Sequence, residues 1–197
     1  YDDSFDLSSK LGITVHGIIG YEILKDFIVK ISYGAKKITF FNRDFYNESV
    51  CNKCEVLDLE FYGNKPYINA EVELSENQEA TPVKLLIDSG GSDAMWLFEN
   101  SHPDLVSPDN YFIDFLGEGL SGTIYGKRTF IQSLNIGRFK LKKPTVSYPD
   151  SLAIIQARKF ETRNGSLGAT ILKRFVVTLD YANKNVILKK GKAYNDP

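Results

Sequence analysis

Two segments, one near each end of the chain, are copies of one another. GIIGYEILKDFIVKISYGAKKITFF, from Gly17, aligns without a gap on GSLGATILKRFVVTLDYANKNVILK, from Gly165. Gly17, Gly20, Ile23, Leu24, Lys25, Phe27, Val29, Tyr33 and Lys36 fall on Gly165, Gly168, Ile171, Leu172, Lys173, Phe175, Val177, Tyr181 and Lys184, an offset of 148 positions, from 17 to 165. Ile31 and Ile38 meet Leu179 and Val186, which agree in kind. Each copy predicts a turn on two glycines, a short helix, and two strands of alternating polarity joined by a tight turn. A unit that occurs once at the beginning and once at the end is not a solenoid. It predicts a chain that opens on the tail of one domain and closes on the tail of a second, similar one.

The stretch between the copies supplies the rest of the second domain. Periodicity fades across residues 43–57, which hold the CNKC pair Cys51 and Cys54 and read as a linker. From Asp58 the pattern turns to strand: VLDLEFYGNKPYINAEVEL around a GNKP turn, PVKLLID, then alternating segments up to Tyr148 broken by glycine-rich turns. AMWLFEN predicts a short helix ending before Pro103. The expected organisation is therefore residues 1–42 as the end of an upstream lobe, 43–57 as linker, 58–191 as a complete lobe and 192–197 as a tail.

Composition excludes several classes. With a formal charge of -1 there is no basic surplus to hold nucleic acid, and GRFKLKKP and LKKGK alternate along strands as solvated faces. No apolar run approaches the ~18 residues that cross a bilayer as a helix. Met95 is the sole methionine, so Tyr1 reads as a processed or trimmed start from which an export signal would already have been removed. A structural zinc at Cys51 and Cys54 needs two more ligands, and His16 and His102 stand at no ligand spacing. The cysteines read as a local disulfide or as two thiols in a linker, and a disulfide would favour a periplasmic or secreted location. GEGLSG, Gly117 to Gly122, matches a dinucleotide-binding glycine pattern in letters only, because TIYGKRTFI after it is strand and not helix. No cofactor is implied.

One residue carries the chemistry. Val83, Leu85, Leu86 and Ile87 form an apolar strand that runs into Asp88, and Ser89, Gly90 and Gly91 then turn the chain sharply. A carboxylate at the mouth of a core is costly unless it is paired or used. On its own an Asp-Ser-Gly after a strand is most often a turn capped by its own aspartate.

Taken with the rest of the chain, LLIDSGGSD resembles the active-site signature of aspartic proteases, and GSLGATIL resembles their second hallmark. The bacterial retropepsin-like group is the best match. Its Asp-Thr-Gly strand, glycine-rich flap, L-x-I-G strand and closing G-x-x-G-x-x-x-L-x-x-F-x-V-x-x-D-Y segment correspond here to Asp88-Ser89-Gly90, Gly117 to Gly126, LNIG at Leu134 to Gly137, and Gly165 to Tyr181. The resemblance implies an all-β acid-protease fold, a closed β-barrel lobe with short helices preceded by the end of a second such lobe. It also implies an endopeptidase whose water is activated by two aspartates, one of them Asp88. Ser89, Gly90 and Ser92 would support the loop: the Ser89 hydroxyl bonds across to the other lobe, the Gly90 amide reaches a carboxylate oxygen, and Ser92 bonds the outer one. Leu116, Gly117, Glu118, Gly119, Leu120, Ser121 and Gly122 would form the flap over a peptide or protein substrate. Leu116 stands where pepsin-like flaps carry tyrosine, and Gly91 replaces a frequent alanine. An equivalent of Asp88 would lie about 60 residues before Tyr1 by the repeat offset. The second aspartate is then expected from an upstream lobe or from a homodimer partner. The alternative is a non-catalytic module that keeps the fold to bind peptides or to assemble.

Overall fold

In a computed structural model, the structure describes residues 8–9, 12–46, 51–119, 122–151, 154–158 and 162–196. The chain is all-β with a few short helices, and its strands form two sheets.

The first sheet has five strands in the order β2 (Lys37–Phe41), β1 (Ile28–Ser32), β14 (Phe175–Asp180), β15 (Asn185–Lys190) and β3 (Cys54–Asp58). It is built from the two copies. Both fold alike: helix α1 (Tyr21–Leu24) precedes β1 as α3 (Ala169–Leu172) precedes β14. The following hairpins share one register, since Ile28 faces Phe41 as Val176 faces Lys189. Each hairpin turns on a left-handed lysine, Lys36 at φ 51° and Lys184 at φ 54°. The copies then meet each other. β1 pairs antiparallel with β14, from Ile28 opposite Asp180 to Ser32 opposite Val176, and the central pair Lys30 and Thr178 are equivalent residues of the repeat. A local two-fold axis therefore passes through that pair.

The shared sheet crosses the expected boundaries in two places. The end of the linker, Cys54–Asp58, is strand β3, paired along β15 from Cys54 opposite Lys189 to Asp58 opposite Asn185. Val56 to Asp58 already open the stretch VLDLEFY that reads as strand, and the strand extends back to Cys54 where β15 offers an edge. The N-terminal copy also joins this sheet: Ile28 and Val29 are buried against β14, and the Tyr21 ring packs against those of Phe61 and Tyr181. A disulfide joins Cys51 to Cys54, the first residue of β3.

The second sheet runs β11 (Phe139–Lys142), β10 (Ser133–Ile136), β5 (Lys65–Glu73), β6 (Thr81–Ile87), β13 (Gly165–Leu167), β7 (Met95–Leu97), β12 (Thr145–Pro149), β9 (Gly122–Phe130) and β8 (Phe112–Gly119), with β4 (Glu60–Tyr62) beside β5. Among the described residues its two ends are not joined by a ladder. Val83, Leu85 and Ile87 point from β6 into one apolar core with Ile68, Leu97, Leu134 and Val146, and that core continues through Ile171 and Phe175 to the first sheet. AMWLFEN is not the helix its composition predicts. Met95 and Leu97 are buried and Trp96 faces the other way, the period of a strand, and β13 and β12 lie on either side to complete its ladder. Good helix formers give way here to tertiary pairing. A second short helix, α2 (Ile155–Arg158), falls where no element was expected.

Asp180 ends β14 with 3% of its surface exposed, and its two oxygens accept from the Asn183 amide at 3.0 Å and side-chain amide at 2.7 Å. Asp180→Ala is expected to cost about 1–3 kcal/mol in chemical denaturation, since it removes both hydrogen bonds that hold the turn at Asn183.

Candidate active site

Asp88 follows the last residue of β6 and is held there by strand pairing on one side. β13 runs parallel to β6, with Leu167 opposite Ile87, and the Asp88 amide donates to the Leu167 carbonyl at 2.9 Å. Beyond this point the loop closes on the carboxylate. The amides of Gly90 and Gly91 both donate to Asp88 Oδ1 at 3.1 Å. Among the described residues Oδ2 accepts no hydrogen bond. The carboxylate is thus fixed through one oxygen and presents the other, while Ser89 and Gly90 are exposed.

The second copy forms the floor of this loop. Gly168 and Ala169 donate their amides to the carbonyls of Ala94 at 2.9 Å and Gly91 at 2.7 Å, and the Thr170 hydroxyl donates to the Ser92 carbonyl at 2.9 Å. The repeat's glycines are required by this close approach. A Cβ on Gly165 would lie 1.9 Å from the Trp96 carbonyl oxygen, and one on Gly168 would lie 2.2 Å from that of Asp93. Ser92 thus enters the site through its main chain, and its hydroxyl makes no bond to Asp88 among the described residues.

Behind the loop stands a buried cation. Arg163 is 8% exposed, donates to the Gly165 carbonyl at 3.0 Å and the Ser166 hydroxyl at 2.6 Å, and lies over the Phe98 ring. Burial pushes its pKa down, against the pull of Tyr67 and Asp88. Its neighbour Asn164 accepts from the Lys84 amide at 2.8 Å and so ties the turn before β13 to β6. Nothing in the sequence marked Arg163 or Asn164 beyond their place ahead of the repeat's first glycine.

Of the remaining expected site residues, Leu116 to Gly119 and Gly122 lie on the β8–β9 hairpin. Glu118 and Gly119 pair with Thr123 and Gly122, and the register slips between Phe115 and Gly117. Gly117 takes φ 137° and Gly122 φ 118°, conformations that favour glycine. Leu116, expected to face substrate, is 5% exposed and turns inward toward Gly126. The slip at the bulge turns it to the buried face. Leu120 and Ser121 lie outside the described residues. Among the described residues no hydrogen bond joins the hairpin's tip to Asp88. Its base is joined to the loop, through Asp93 and Arg128.

No family model matches the chain, and no curated protein matches it. Among solved structures, it is similar to a retropepsin-like aspartic protease from Rickettsia conorii, with 18% identity and a TM-score of 0.43 over 70% of this chain and 100% of that one. It is also similar to Basic 7S globulin from soybean, with 13% identity and a TM-score of 0.40 over 73% of this chain. The match spans about half of the globulin, 51% of its length.

Proposed function

We propose that this chain carries one half of an aspartic endopeptidase, with Asp88 as one of two catalytic carboxylates and the second supplied by another lobe seated on the N-terminal copy. The observation that carries the reading is a mismatch between equivalent residues. Ile19, Ile23, Phe27, Ile38 and Phe40 are between 41% and 50% exposed, whereas their counterparts Leu167, Ile171, Phe175, Val186 and Leu188 are 2% exposed or less. Apolar residues kept at core positions but left uncovered mark a surface that is buried elsewhere. The glycines agree. Gly165 and Gly168 are pressed against the Asp88 loop and its following strand, while a Cβ on Gly17 or Gly20 would meet nothing within 4 Å. The N-terminal copy thus retains the glycine seat of an active-site loop with no loop on it. The outer edge of β2 is likewise open among the described residues, where the equivalent edge of β15 is covered by β3.

The same geometry favours one source for the second aspartate. A symmetric pairing of two copies through β14 would need its edge, and β1 already occupies that edge. The fitting occupant is a lobe with the topology of residues 58–164, related to it by the axis at Lys30 and Thr178. That operation would bring a second Asp loop toward Asp88.

In such a pair the carboxylates cannot both ionise freely at close range, so one proton is shared. Asp88 Oδ2 is the oxygen placed to share it and to hold the water, since Oδ1 is occupied by Gly90 and Gly91. The ionised member takes a proton from the water as it attacks the peptide carbonyl. The protonated member donates to the developing oxyanion. The titration belongs to the pair.

The chain alone, as a monomer, is expected to be inactive. A protein containing both lobes should cleave at a rate per molecule that does not fall on dilution, whereas homodimer activity would fall steeply. Activity against concentration, with sizing by light scattering, distinguishes the two.

A further inference from the structure

Asp93 ends the candidate catalytic loop and is its most heavily engaged side chain. Its carboxylate is 12% exposed and accepts from three elements: Arg128 Nη1 of β9 at 2.8 Å, Ser147 Oγ of β12 at 3.0 Å, and Trp96 Nε1 of β7 at 2.6 Å. Its carbonyl meanwhile faces Gly168 and accepts from the Thr170 amide at 3.3 Å. Arg128 is shared in turn. Its Nε donates to Asp114 Oδ2 of β8 at 2.6 Å, so one guanidinium bridges the loop and both strands of the hairpin. Burial works against that charge, and the two carboxylates more than offset it, holding the guanidinium pKa above its ordinary value. A forked cation between two acceptors fixes direction as well as distance.

We infer that Asp93 and Arg128 are positioning residues that couple the β8–β9 hairpin to the Asp88 loop, so that movement of the hairpin over a bound peptide and the geometry of the loop are not independent. A strand staple alone would need only the Asp114 contact. The link from Arg128 to Asp93 adds the loop, and the Asp93 carbonyl passes the constraint to the floor at Gly168 and Thr170. The inference rests on the peptidase reading only for what the hairpin closes upon, and its test does not require activity.

The test is hydrogen exchange on the chain itself, read at the hairpin amides of Ile113 and Thr123 to Lys127, at Gly91, and at Ala169, whose amide donates to the Gly91 carbonyl. Arg128→Met is expected to speed exchange roughly tenfold or more at all of these sites. Asp114→Asn is expected to speed it in the hairpin alone. Since Arg128→Met leaves a buried carboxylate, the double variant Asp93→Asn/Arg128→Met, which removes both charges, guards against simple misfolding. It should match the Arg128→Met exchange at Gly91 and Ala169, because the coupling is already lost. Overturning results are a hairpin loosened by Arg128→Met with Gly91 and Ala169 unchanged, or effects of the two substitutions that add. Failure of cleavage in the two-lobed protein would remove the peptidase reading and leave these exchange results as they stand.

Discussion

Asp88→Asn in a two-lobed form of the protein is expected to reduce peptide cleavage at least ~10²-fold with little change in the unfolding midpoint. The amide keeps the shape of the carboxylate. Its oxygen can still accept from Gly90 and Gly91, as Asp88 Oδ1 does at 3.1 Å, and the Asp88 main chain stays bonded to Leu167. What is lost is the oxygen that shares a proton with its partner. Steady-state cleavage of a mixed peptide library, with a denaturation curve for each protein, separates the chemical loss from a structural one. Cleavage at the unsubstituted rate would remove Asp88 from the reaction.

A large loss of stability is expected from Gly168→Ala, and the most informative comparison is with Gly20→Ala. A Cβ at 168 would stand 2.2 Å from the Asp93 oxygen and 3.0 Å from that of Gly91, and both are main-chain atoms that cannot swing aside. The cost should be on the order of 3 kcal/mol or more. Gly20→Ala, at the equivalent residue, meets nothing within 4 Å and should change the stability of this chain by no more than about 1 kcal/mol. In the two-lobed protein the two substitutions should become equally damaging, because a second loop would then press on Gly20. Denaturation midpoints of both variants, in both lengths of protein, provide the comparison.

Much of this was legible in the letters, and the reasons differ by residue. The repeat could be read because a strand that packs on both neighbours keeps its apolar residues wherever it is copied, as Val29 and Val177 do. Asp88 could be read because Leu85 to Ile87 is an uninterrupted apolar lead into a charge. Other features depend on partners remote in sequence. Cys54 and Glu55 lie in the stretch read as linker and are strand only beside β15. Ala94 to Leu97 has the composition of a helix and becomes a strand only between β12 and β13. The Asp93–Arg128–Asp114 bridge joins residues that no local pattern relates, and the inward turn of Leu116 follows from a register slip at Phe115 and Gly117. Local periodicity reports burial, not which charged residues meet.

The most direct test of a seat built for a second aspartate loop is cleavage of a mixed peptide library, from acidic to neutral pH, by two proteins. One is this chain, shown to be monomeric by light scattering. The other carries in addition a second lobe with the topology of residues 58–164 joined ahead of Tyr1. The account predicts no cleavage by the first. For the second it predicts cleavage that Asp88→Asn abolishes and that persists per molecule over about a 100-fold dilution. Robust cleavage by the verified monomer, abolished by Asp88→Asn, would contradict the two-lobe account even though Asp88 itself remained catalytic.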